Sequence, residues 1–161
     1  MYQIEVQNFG DIVIRKNLME ILIVKRKTDL YGKVVSEYYT ENNLIFKTIS
    51  IKSIFWKLKI EEINAQFRVK EIGKYNFFKS KFICNNKEIE IIDNPFYFVN
   101  KIYSKIKFNN KTVGIVKMKN VIGANKKGNL SLNLDFIKFD QNAEFDCLLC
   151  YAITCNLLNA G

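Results

Sequence analysis

A mainly β domain with one buried C-terminal helix is the fold class this sequence predicts, and three observations predict it. Up to Phe139 the chain is a succession of short runs rich in Ile, Val, Phe, Tyr and Thr, separated by breakers that carry Asn and Gly. That is the pattern of antiparallel strands joined by tight turns. From Asn142 to Leu158 the apolar residues cover nearly the whole helical circumference instead of one stripe, so a helix there must be buried on every side. The chain has 161 residues, 48% of them hydrophobic, enough for one sizeable core. No linker, low-complexity tract or convincing repeat interrupts it, so residues 1–161 are read as a single domain.

The strands occupy about residues 2–139. Breakers fall at Asn8-Phe9-Gly10-Asp11, Tyr31-Gly32-Lys33, Glu41-Asn42-Asn43, Asn85-Asn86-Lys87, Asn109-Asn110-Lys111 and Lys126-Lys127-Gly128-Asn129, where Asn and Gly accept the positive φ of hairpin turns. This spacing fits roughly ten to twelve strands linked as antiparallel meanders. The clearest alternations place Ile54, Trp56, Leu58 and Ile60 on one face, and Leu130, Leu132, Leu134 and Phe136 on another, each opposite mostly polar neighbours.

The helix follows at about 142–158. Asp140 or Asn142 is the candidate N-cap, Glu144 and Asp146 fall in the first turn, and Gly161 lies beyond the end, all helix start and stop signals. A membrane span needs about 20 predominantly apolar residues, and Asp146, Thr154, Asn156 and Asn159 interrupt a shorter run; no transmembrane span is expected. One helix that is apolar all round, following many half-polar strands, belongs inside a barrel formed by the sheet. A barrel so plugged leaves no room for a large internal substrate pocket.

Composition removes several chemistries. The absence of His excludes a Ser-His-Asp or Cys-His nucleophile system, a His-liganded zinc site and imidazole acid/base catalysis. The seven glycines are scattered and form no phosphate-cradling loop. Glu61-Glu62 and the pair Glu88 and Glu90 are the close carboxylate sets outside the helix start, and on a strand they read as ordinary polar-face residues beside lysine. Cys147-Leu148-Leu149-Cys150 matches C-x-x-C in form, but leucines fill it and no second pair exists, so Cys147, Cys150 and Cys155 are expected as buried thiols of the core. A non-enzymatic protein without metal or other cofactor is expected.

Charge is the remaining signal. The formal net charge is +9 with 22 of 25 basic residues lysine, and it is unevenly spread. Residues 101–138 carry nine basic side chains and one acidic, whereas residues 139–161 carry three acidic and no basic. Lys101, Lys105, Lys107, Lys111, Lys117, Lys119, Lys126 and Lys127 are therefore the candidate binding residues for a phosphate-bearing partner. Lysine is a point charge without the arginine fork, which predicts loose, salt-sensitive association and argues against sequence-specific nucleic acid. The opening Met1-Tyr2-Gln3-Ile4-Glu5 lacks the basic-then-apolar pattern of a secretory signal, so the expected location is cytoplasmic, peripheral to a membrane.

A family resemblance is carried by Phe78-Lys79-Ser80-Lys81-Phe82-Ile83, by Ile89-Glu90-Ile91-Ile92-Asp93-Asn94, by the run from Tyr103 to Lys117 and by the terminal helix. In these segments and their order the chain resembles the tubby C-terminal and LURP-one-related superfamily, which includes the phospholipid scramblases. The resemblance covers the second half of the chain, and the first half by strand rhythm. It implies a closed, roughly twelve-stranded antiparallel β-barrel around the hydrophobic helix, and a module that binds anionic phospholipid or phosphoinositide headgroups. Scramblase-like members carry an acidic segment proposed to hold calcium before their last strands. Here the comparable stretch, Val121 to Asn129, is basic, and calcium prefers carboxylates, so no metal site carries over. The competing expectation is a structural or protein-interaction domain without lipid ligand, docking through aromatics such as Tyr38, Tyr39, Phe96, Tyr97 or Phe98.

Overall fold

The computed structural model describes residues 1–7, 10–51, 58–63, 69–118, 123–124, 130–138 and 143–159. Its strands are β1 (Tyr2–Val6), β2 (Ile12–Lys16), β3 (Met19–Thr28), β4 (Lys33–Thr40), β5 (Asn43–Ile51), β6 (Lys59–Ile63), β7 (Val69–Asn76), β8 (Lys79–Cys84) and β9 (Lys87–Asp93). After a one-turn helix α1 (Tyr97–Asn100) come β10 (Ile102–Phe108), β11 (Lys111–Met118), β12 (Gly123–Ala124), β13 (Leu130–Lys138) and the long helix α2 (Ala143–Asn159). Mainly β with a C-terminal helix is thus the observed class.

Asn-bearing two-residue turns set the hairpins. Glu41 and Asn42, Asn85 and Asn86, and Asn109 and Asn110 all have φ between 48° and 64°, the left-handed pairs that match strand twist. Three predicted breakers therefore fall on real turns, and Gly32 (φ 76°) marks a fourth. A further turn, Asn17-Leu18, places a leucine at φ 69°, where sequence pattern predicts no break. The breaker at 126–129 and the residues Ile54 and Trp56 lie outside the described residues, as does the candidate N-cap.

Twelve strands form one antiparallel sheet in the order β6-β5-β4-β3-β2-β1-β13-β11-β10-β9-β8-β7, with β12 paired to β13. The N-terminal strand joins the last: Tyr2 faces Phe136 and Val6 faces Leu132. The ladder of the described residues does not close into a ring, so the closed barrel is not established by sheet hydrogen bonds. The end strands β6 and β7 are consecutive in sequence, and β6, with five residues, offers few backbone groups for a further ladder. One backbone bond, from Leu58 N–H to Ile72 O at 2.9 Å, joins the chain ahead of β6 to β7.

The interior is filled by α2. Every residue from Leu148 to Asn156 is buried, as a helix apolar all round requires. Strands on both sides of the sheet hold it: Phe46 meets the Tyr151 ring edge-on at 5.4 Å, and Phe108 meets Phe145 at 4.9 Å. Its buried side chains Thr154, Cys155 and Asn156 are hydrogen-bonded, as buried polar groups generally are. Cys155 bonds the Tyr38 hydroxyl (3.2 Å), Ser80 Oγ donates to Asn156 Oδ1 (2.6 Å), and Asn156 Nδ2 donates to Asp93 (2.9 Å). Thr154 returns its hydroxyl to the Cys150 carbonyl one turn back (3.0 Å). Gly114 permits a close approach of Phe136, because a Cβ there would lie 2.7 Å from Phe136 Cε2.

Two expectations for single residues are corrected. Cys147 is exposed, whereas Cys84, Cys150 and Cys155 are buried thiols; in the first turns of α2 the buried side is taken by Phe145, Leu148 and Leu149. Tyr38 is fully buried against Phe46, their rings stacked at 4.1 Å, because β4 turns that position towards the helix. Among the described residues no helix is long and apolar enough to cross a membrane.

Candidate functional site

The lysines of the basic stretch divide between the two ends of the sheet. Lys105 and Lys107 share the outer face of β10, with Ser104 and Ile106 buried beneath, as period-two spacing predicts. Lys107 is flanked by Thr112 and by Glu90, and Lys105 by Ile115 and Ile92. Lys111 stands at the Asn109-Asn110 hairpin, the far end from Lys101 and Lys117. Those two come together, since Lys117 pairs with Ile102 and the Met118 N–H donates to the Lys101 carbonyl at 2.8 Å. Lys119, Lys126 and Lys127 lie outside the described residues. The carboxylates Glu88 and Glu90 are held in a surface network: Lys81 contacts Glu88 at 2.8 Å, and the Tyr75 hydroxyl donates to Glu90 at 2.8 Å. Burial and that bond push the Tyr75 hydroxyl up to about 12.

At the Lys101 end, two loops build a feature of a different kind. The β7–β8 turn carries Phe77 and Phe78, and the β9–β10 connection carries Pro95 to Val99. Phe77, Phe96, Phe98 and Val99 are each more than 60% exposed, and Phe78 is 49% exposed. The loops abut, with the Asp93 N–H donating to the Phe78 carbonyl at 2.8 Å. Between them a cleft of about 220 Å³ is lined by residues that include Phe78, Pro95, Tyr97 and Tyr103.

Local chemistry explains why these aromatics face outward. Pro95 lacks an N–H and cannot extend β9. Asn94 then caps the turn: its Oδ1 accepts the Phe96 N–H at 3.1 Å, and its Nδ2 donates to the Ile102 carbonyl at 2.8 Å. Asn100 Oδ1 accepts the Ile102 N–H at 3.0 Å, and Lys101 ends α1 at φ 58°. Asn76 repeats the device in the other loop, accepting the Phe78 N–H at 3.0 Å. Strand alternation would have buried one of Phe96, Tyr97 and Phe98; one helical turn leaves all three exposed, with Tyr97 packed on Tyr103 at 5.4 Å.

The charge around this ledge is one-sided. Within residues 74–79, 93–102 and 117–118 the charged side chains are Lys74, Lys79, Lys101, Lys117 and Asp93. Lys101 and Lys117 are exposed, while Asp93, the one carboxylate of these segments, is half-buried, lines the cleft and is bound by Asn156 of α2. Burial raises the Asp93 carboxyl above its ordinary value, against the opposing pull of the Asn156 bond and the Lys74 charge. The Tyr103 hydroxyl is likewise raised, by burial and then by the Asp93 charge. Comparison with known protein families, curated proteins and solved structures finds no match to this chain.

Proposed function

We propose that this chain is a non-catalytic, tubby-like module that binds surfaces of anionic phospholipid, phosphoinositides among them, from the cytoplasmic side, and that its sheet rolls up as a barrel about α2. The observation that carries the reading is the aromatic ledge of Phe77, Phe78, Phe96, Phe98 and Val99 set among four lysines. A contiguous exposed apolar patch on a soluble domain marks an interaction surface, and aromatic rings favour the boundary between headgroups and acyl chains. Burying one such ring contributes about 1.5–3 kcal/mol, and each lysine near an acidic surface adds on the order of 1 kcal/mol. Neither term alone anchors a protein firmly; two acting together do. Lys105 extends the cationic rim along β10, and the Leu58–Ile72 bond between the sheet ends supports the rolled arrangement.

Co-sedimentation with liposomes tests this. Vesicles of neutral phosphatidylcholine are compared with the same vesicles containing phosphatidylserine or a phosphoinositide, at physiological salt. The wild-type chain is expected to pellet with the acidic vesicles. Phe96→Ser with Phe98→Ser, and separately Lys101→Glu with Lys117→Glu, are each expected to weaken binding by at least about tenfold without changing the melting temperature. Binding unaffected by both pairs, or absent from acidic vesicles, overturns the reading and returns the ledge to a protein partner.

A further inference from the structure

A second exposed apolar feature stands at the ledge end of the sheet. Neighbouring strands run antiparallel along its whole order, so the β3–β4, β7–β8 and β9–β10 connections all fall at one end, and the β2–β3 turn falls at the other. Leu30 and Tyr31 make the tip of the β3–β4 hairpin, where Tyr31 is 93% exposed and Leu30 more so. Their side chains add nothing to the core, yet the turn that carries them is closely built. Asp29 Oδ1 accepts the Tyr31 and Lys33 N–H groups, both at 2.9 Å. The Asp29 N–H donates to the Lys33 carbonyl at 2.9 Å, and Gly32, at φ 76°, donates its N–H to the Asp29 carbonyl at 3.2 Å. A tip fixed in this way presents its apolar pair with little ordering left to do on binding.

Exposed apolar side chains are sorted by kind between the two ends. Among the described residues every exposed aromatic ring is at the ledge end: Tyr31 on this hairpin, Tyr75 near the end of β7, and the rest in the ledge loops. The opposite end exposes Met1, Leu18 and Met19, none of them aromatic. The hairpin also shares the ledge's charge. From Lys25 to Lys33 there are four basic side chains and one carboxylate, Asp29, which is turned onto backbone N–H groups. Lys27 and Lys33 are exposed beside the tip. In the sheet order β2, β1, β13 and β11 separate β3 from β10, and β5, β6, β7 and β8 separate β4 from β9 once the ends meet. With four strands either way round, the hairpin and the ledge stand on opposite sides of the roll proposed above.

We propose that the β3–β4 tip is a second membrane anchor, so that the domain meets an acidic phospholipid surface with the end of its roll, seated on the hairpin at one side and on the ledge at the other. The inference rests on the lipid reading of the ledge and adds to it a second contact and an orientation. Leucine enters the acyl boundary, tyrosine sits at headgroup level, and the flanking lysines meet the acidic headgroups. Two anchors on a rigid body act as linked sites, the second binding at the high effective concentration set by the first.

Tryptophan reporters at the two ends test this in the full chain. Leu30→Trp marks the hairpin tip, and Met19→Trp marks an exposed position at the opposite end; the wild-type emission, which comes from one tryptophan, is subtracted. Vesicles of phosphatidylcholine with phosphatidylserine are used at physiological salt, with and without brominated acyl chains as quencher. The Leu30→Trp emission is expected to shift to the blue and to be quenched, and the Met19→Trp emission to stay that of indole in water. Leu30→Ser with Tyr31→Ser is expected to weaken vesicle binding by about tenfold without changing the melting temperature, since neither side chain is buried. A wild-type chain that does not pellet with acidic vesicles overturns this inference together with the lipid reading. A wild-type chain that pellets while the Leu30→Trp emission is unquenched, while both reporters are quenched alike, or while the double serine variant binds as tightly, overturns the second anchor alone and leaves the ledge reading standing.

Discussion

Single side chains in this domain carry opposed demands, and two of them show the cost. Leu18 sits at φ 69° and is 83% exposed, so its side chain adds no burial while its Cβ opposes the left-handed backbone. Leu18→Gly would make the favoured Asn-Gly turn, and a gain of about 1 kcal/mol is expected, read as a rise in melting temperature. A fall would mean that Leu18 contributes packing at the β2–β3 turn. Asp93 is the second case. Its folded carboxyl is raised above the ordinary 3.8, so between the unfolded and folded values the native state holds the extra proton. Stability from this group therefore rises as pH falls through that window and is lost as pH climbs above the folded value. Asp93→Asn keeps an oxygen for Asn156 and removes the titration. The wild type should gain on Asp93→Asn as pH is lowered towards 3.8, measured by denaturant melts across pH. A difference independent of pH would assign the Asp93 effect to shape alone.

At the scale of elements, two helices owe their form to opposite causes. The α2 helix survives as a helix because it is enclosed: its residues are apolar on all sides, and its few polar groups find fixed partners on β1, β4, β8 and β9. Leu149 and Ile153 are at most 1% exposed, so Leu149→Asp or Ile153→Asp places an uncompensated charge in the core. Breaking such an environment costs about 3–5 kcal/mol, a large fraction of a typical domain's stability, and a chain that no longer melts cooperatively is expected. Ile153→Val, which removes one methylene, should cost only about 0.5–1.5 kcal/mol. A soluble Leu149→Asp variant with unchanged melting would contradict the enclosed helix. By contrast, α1 is held by its ends, through Asn94, Asn100 and the left-handed Lys101, and none of its own residues is buried. That is why it can present aromatic rings to the outside.

Across the whole molecule, lysines stand at both ends of the strands, and the ledge adds a cluster of exposed aromatic rings to them at one end. A surface that binds by lysines alone loses affinity steeply with salt, since screening acts over about 10 Å at 0.1 M, while ring insertion is insensitive to it. Vesicle binding is therefore expected to weaken between low and physiological salt and then level off, with Phe96→Ser and Phe98→Ser removing the salt-resistant part. Binding that vanishes entirely with modest salt in the wild type would reduce the ledge to a general lysine effect.

The sequence by itself determined the local periodicities and their consequences. Asn-Asn pairs mark hairpins because few residues tolerate positive φ, the alternation about Lys105 and Lys107 marks an outer face, and an apolar run without a polar side can only be a buried helix. The helix expected at 142–158 is observed at Ala143–Asn159. What pairing and packing bring together was not legible in one dimension. The strand rhythm signalled neither a break at Asn94-Pro95 nor that one helical turn would follow there in place of a strand, nor that residues 77 and 98 would share a ledge through a bond between Asp93 and Phe78. Lys111 and Lys101 are ten residues apart and stand at opposite ends of β10, whereas Lys101 and Lys117 lie further apart in sequence and meet. Tertiary structure decided how α2 is anchored too, since Tyr2 and Asp146 are 144 positions apart and come together when β1 pairs with β13 over the first turn of α2. Local steric preference is written in neighbouring residues; proximity across a sheet depends on register, which every strand between must set.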